Sequence, residues 1–117
     1  MSHSLSEYLQ ENRDRFEKEL AEFLAIPSVS TESRHSKDVA RCAAWVAEHV
    51  RRAGVSSVEI VETDGKPIVV AEHIVNPDLP TLLVYGHYDV QPTDPDELWN
   101  SPPFVPVIRE TPAGTVI

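Results

Sequence analysis

The sequence contains a single cysteine, Cys42, so no disulfide can form within the chain. Positive charge is also scarce: ten Lys and Arg stand against nineteen Asp and Glu, for a formal net charge of -9. Nucleic acid needs a basic face to meet its phosphates, and an anionic membrane surface needs the same, so neither is expected as a partner. A surplus of carboxylates permits cation binding, but on its own it signifies solubility. No apolar run approaches the roughly 20 residues that cross a bilayer. The opening "MSHSLSEYLQENRDRFEKEL" has neither the basic start nor the apolar core of a signal peptide, so a cytoplasmic location is expected. Also missing are a Gly-rich phosphate loop, a G-x-S-x-G elbow and a cysteine placed as a nucleophile.

What is present is an ordinary globular composition over 117 residues, the length of one domain. Ser4 and Glu7 have the spacing of a capping box. Leu9, Phe16, Leu20, Phe23 and Leu24 then recur at helical spacing until Pro27, which stops the helix near Ala25. A second helix is expected from Ser36, with Val39, Cys42, Ala43, Val46 and Val50 as its apolar stripe and Gly54 as its left-handed cap. Cys42 on that stripe reads as a buried, inert thiol. Trp45 lies at the stripe's edge. "SVEIVE" and "PIVVAEHIV" flank "TDGK", a hairpin signal, and "TLLVY" reads as a short strand buried inside a sheet. The expected fold class is α/β: two helices, a β-hairpin, a buried strand and a second hairpin. Six of the ten prolines lie between Pro92 and Pro112, where a wall-like loop or edge strand is expected instead of a helix. "FVPVIRE" and "TVI", separated by "TPAG", form the second hairpin of this reading.

The chemistry concentrates in "LLVYGHYDVQP", residues 82–92. Residues two apart on an extended backbone face the same way, so His87 and Asp89 converge at the C-terminal end of the expected strand. That is the end where α/β sheets bind ligands. Gly86 lets the backbone turn there. A neutral imidazole ligates zinc well, and a carboxylate on its other nitrogen fixes the tautomer. Taken alone, H-x-D fits better a strand-end His that merely hydrogen bonds to a neighbouring Asp, because a two-residue match recurs by chance. The other histidines, His3, His35, His49 and His73, have no ligand spacing, and His49 and His73 read as structural. "TDPDEL" lacks the glycine and later glutamate of a calcium loop and reads as solvated surface. Trp99 and Phe104 read as packing residues.

The longer string, "YGHYDVQP" followed by "LWNSPPFVPVI", resembles the zinc exopeptidase family of carnosinase, bacterial dipeptidases, glutamate carboxypeptidase, aminoacylase and acetylornithine deacetylase. "FLAIPSVS" is similar to that family's first helix and following loop. By this resemblance His87 is a metal ligand and Asp89 the catalytic carboxylate that positions it. Tyr88, Gln91 and Pro92 look like the dipeptidase branch more than the deacylase branch. The resemblance implies a cofactor of two zinc ions, hydrolysis of a small peptide or acyl amino acid by metal-activated water, and a homodimer for the full-length protein. It further implies that residues 1–117 are a partial catalytic domain without the lid domain, the remaining ligands or the general base, and therefore inactive alone. Two alternatives stand beside this: an N-acyl amino acid deacylase of the same family, and a non-catalytic truncated product that acts as a binding module.

Overall fold

The computed structural model describes residues 4–117. It divides into two compact units, one built from the segments up to Ile26 and from Thr93 onward, the other from Pro27–Pro92.

In the first unit, α1 (Leu5–Glu11) begins on the capping box read from the sequence. Ser4 Oγ accepts from the Glu7 amide at 3.3 Å, and Glu7 Oε2 accepts from the Ser4 amide at 2.8 Å. Two amides that a helix start leaves free are thereby satisfied. The single helix expected to reach Ala25 is instead broken at Asn12, whose side-chain amide donates to the Tyr8 carbonyl at 2.9 Å. Asparagine competes with the main chain for such bonds, which favours caps and breaks over helix interiors. The second segment, α2 (Arg13–Leu24), resumes at once and closes on Ala25, two residues before Pro27. Arg15 ties the two segments together: its guanidinium donates to the Tyr8 hydroxyl at 3.1 Å and lies 4.6 Å over the Phe16 ring.

The proline-rich stretch holds one 3-10 turn, Asp96–Leu98, and no α-helix. The Trp99 indole N–H donates to the Thr93 carbonyl at 2.8 Å and pins that turn. The second hairpin forms over fewer residues than expected. Strand β3 (Arg109–Thr111) pairs antiparallel with β4 (Gly114–Val116), while 104–108 stay outside the ladder. Pro106 has no amide to offer a strand partner.

The second unit is centred on α3 (Ser36–Arg52), preceded by a 3-10 turn at Ser33–His35. Its C-terminal cap is the expected one: Gly54 has φ +93°, its amide donates to the Arg51 carbonyl at 2.9 Å, and the Val55 amide reaches the Val50 carbonyl at 3.4 Å. That pair of bonds needs a left-handed residue at Gly54. Val39, Cys42 and Ala43 are fully buried as the stripe implied, but Ala47 is the fourth buried position, while Val46 and Val50 are half-buried. The helix packs on a hairpin of β1 (Ser57–Val61) and β2 (Ile68–Glu72). The expected hairpin forms, with the connection 62–67 one residue wider at each end than "TDGK". Pairing stops at Val61 opposite Ile68, since Pro67 cannot donate, and the Thr63 hydroxyl shapes the loop by accepting from Gly65 and donating to Lys66.

One expected element is corrected outright. "TLLVY" forms no strand, and Leu82, Leu83, Val84 and Tyr85 are between 83% and 89% exposed. A run apolar on both faces holds as a strand only when both faces are covered and its main-chain groups are paired. Among the described residues neither condition is met. What forms instead, just beyond it, is a parallel bridge between Val29 and Val90. Among the described residues the architecture remains a small α/β fold of three α-helices and two antiparallel two-stranded sheets. Among the described residues no helix is long and apolar enough to cross a membrane.

Candidate metal-site segment

The segment 87–90 is held by residues that lie about sixty positions earlier. Ser28, 2% exposed, does most of the anchoring: its hydroxyl donates to the Tyr88 carbonyl at 2.8 Å and its carbonyl accepts from the Val90 amide at 3.0 Å. The Cys42 thiol, on the buried face of α3, approaches the same Tyr88 carbonyl at 3.6 Å. Burial pushes this thiol's pKa up, in keeping with an inert role. The Tyr88 hydroxyl donates to the Pro67 carbonyl at 2.5 Å, and desolvation raises its pKa as well. The segment is therefore docked on the 27–30 loop, α3 and the hairpin connection.

On this frame His87 and Asp89 meet, as their spacing implied. His87 Nδ1 lies 3.3 Å from Asp89 Oδ1, and closer still, 2.8 Å, to the Asp89 carbonyl. Both neighbours are oxygen acceptors, so the proton of the neutral imidazole belongs on Nδ1 and the lone pair on Nε2. The His87 side chain is 73% exposed, which leaves Nε2 accessible to a ligand. The second carboxylate oxygen, Asp89 Oδ2, accepts from the Ser30 hydroxyl at 2.6 Å. That hydroxyl, aided by His87 and opposed by partial burial, holds the Asp89 carboxyl below the usual carboxylate range, so it is ionised at neutral pH. A solvent-facing imidazole nitrogen backed by an oriented anion is the donor chemistry a zinc ion accepts. A site needs more than this pair. Among the described residues no group of three His, Cys, Asp or Glu could hold a metal ion, whereas a catalytic zinc normally takes three protein ligands.

The other histidines go elsewhere. His35 Nδ1 pairs with Asp38 at 2.9 Å, His49 stacks on Trp45 with centroids 4.4 Å apart, and His73 Nδ1 lies 3.4 Å from the Ser56 hydroxyl. His3 lies outside the described residues. Sequence reasoning missed the roles of Ser28 and Ser30. The signal available was the S-x-S spacing of "PSVS", the same two-residue alternation that marks His87 and Asp89.

No family model matches the chain. Individual proteins do. The Cys-Gly metallodipeptidase DUG1 of Saccharomyces cerevisiae is 29% identical over 125 residues, covering 94% of this chain and 26% of its own length. The Beta-Ala-His dipeptidase of Mus musculus is 33% identical over 112 residues, covering 86% of this chain and 23% of its own. Among solved structures, that of the dipeptidase Dug1p from Saccharomyces cerevisiae superposes with a TM-score of 0.79 at 27% identity, covering 97% of this chain and 26% of that one. The chain thus matches part of a metal-dependent dipeptidase, in the family that its motif string resembles. It spans about a quarter of the length of the curated relatives it matches.

Proposed function

We propose that this chain is part of a cytoplasmic zinc-dependent dipeptidase, in which His87 ligates a metal through Nε2 and Asp89 is the catalytic carboxylate that orients it. The observation that carries the proposal is the pairing at His87: with Nδ1 engaged by Asp89 at 2.8 and 3.3 Å, the imidazole is left in the tautomer a metal requires. The relatives' names supply the substrate class. They act on Cys-Gly and Beta-Ala-His, so a small dipeptide is favoured here over an N-acyl amino acid. When bound, zinc supplies Lewis acidity toward the scissile carbonyl and lowers the pKa of the attacking water, with two ions in the complete site. His87 holds, Asp89 orients, and Ser28 keeps the segment that carries both in place.

The described residues do not by themselves complete such a site, and no turnover is expected from this chain alone. The test uses the full-length protein that carries this chain, loaded with zinc and offered Cys-Gly, β-Ala-His and N-acetyl amino acids. Dipeptide hydrolysis is expected, with kcat/KM falling by about 100-fold or more in His87→Ala. Undiminished turnover in that variant would overturn the metal role of His87. Faster hydrolysis of the N-acetyl amino acids would overturn the substrate class. Turnover by the 117-residue chain above its own His87→Ala control would show that these residues suffice.

A further inference from the structure

We propose that Ser30 is a positioning residue for the Asp89 carboxylate, holding its plane so that one oxygen is kept facing His87; this rests on the metal role of His87 proposed above. The torsion that turns an aspartate's carboxylate plane is broad, so the side chain alone does not keep an oxygen directed at the imidazole. Ser30 removes that freedom. Its hydroxyl donates to Oδ2 at 2.6 Å, a length typical of a hydroxyl bonded to an ionised carboxylate, and Oδ1 is then the oxygen left facing Nδ1 at 3.3 Å.

The hydroxyl can act this way because its own segment is fixed on both sides of the aspartate. Ser28 bonds to the Tyr88 carbonyl before Asp89 and to the Val90 amide after it. Val29, 2% exposed, bridges Val90 in parallel register. Ser28 and Ser30 thus divide two tasks along one short stretch: the first holds the backbone of the segment, the second its carboxylate. Neither serine is a ligand, and Ser30 acts on the metal only through Asp89 and His87.

In the full-length protein, zinc affinity is read by competition with a chromophoric chelator, and kcat and KM are read separately on a dipeptide. Ser30→Ala is expected to weaken zinc about tenfold and to lower kcat by a similar factor, leaving KM within about twofold. Ser30→Thr, which keeps the hydroxyl, is expected to restore both. Should the alanine variant fail to fold, Ser30→Cys preserves the volume with a much weaker donor and is expected to show the same losses. Asp89→Asn serves as the reference. If it impairs zinc binding while Ser30→Ala does not, the positioning role is refuted and the site reading stands. If Asp89→Asn also leaves both properties intact, the site reading itself fails. Loss in Ser30→Ala that threonine does not restore would assign the serine to packing alone and overturn the proposal.

Discussion

Replacing Ser28 with alanine tests how the 87–90 segment is held. Ser28 is buried and its hydroxyl donates to the Tyr88 carbonyl at 2.8 Å. A typical intramolecular hydrogen bond contributes about 1 kcal/mol net, and leaving a buried acceptor unsatisfied costs about 1–3 kcal/mol. Here the carbonyl is not wholly abandoned, since the Cys42 thiol stays 3.6 Å away as a weak donor. The lower part of the range follows, roughly 1–2 kcal/mol, or about a 5- to 30-fold change in the equilibrium for opening. The reporter is the Val90 amide, which donates to the Ser28 carbonyl at 3.0 Å and exchanges with solvent only when that contact opens. In Ser28→Ala its protection against hydrogen exchange is expected to fall by that factor, while amides in the middle of α3, such as that of Ala47, keep theirs. Adding Cys42→Ala should widen the effect by more than the single changes sum to, because both groups serve one carbonyl. Unchanged protection at Val90, or an equal loss throughout α3, would refute the reasoning.

Two further outcomes follow from the fold. Gly54→Ala meets no atom within 4 Å of the added Cβ, so its cost is conformational: about 1–2 kcal/mol for a left-handed backbone, offset by about 0.4–1 kcal/mol of lost freedom in the unfolded chain. A net loss near 1 kcal/mol in urea denaturation is expected, smaller for Gly54→Asn. The Asp38 carboxyl is held below its ordinary range first by its bond to His35 and then by Arg41. A depressed carboxyl contributes stability that is fully present above its unfolded pKa and is lost as pH falls through the lower folded one. Asp38→Asn should therefore flatten the acid side of a stability-versus-pH curve, and an unchanged acid limb would count against the pairing.

Local chemistry was readable in the sequence wherever one residue acts on its near neighbours. Ser4 with Glu7, the stop before Pro27, the start at Ser36 and the cap at Gly54 are all decided within a few positions, and the structure has each. So is the meeting of His87 and Asp89. What escaped depends on partners distant in the chain or on a contest between near equals. Ser28 and Ser30 act on residues about sixty positions away, and the two-residue alternation they share with His87 and Asp89 does not say that the two stretches meet. Asn12 sits among helix formers, and the break falls where its side chain bonds to the Tyr8 carbonyl. "TLLVY" misled because an apolar run states a preference for burial without saying what does the burying.

That same run has a calorimetric consequence. The heat capacity of unfolding measures apolar surface that water meets for the first time when the chain opens. Leu82, Leu83, Val84 and Tyr85 are already in contact with water before unfolding begins, so they add almost nothing to that increment. A 117-residue domain would ordinarily show about 1.4–1.8 kcal/mol/K. This chain should fall below that, with a flatter stability curve and a shallower denaturant slope than its length alone implies.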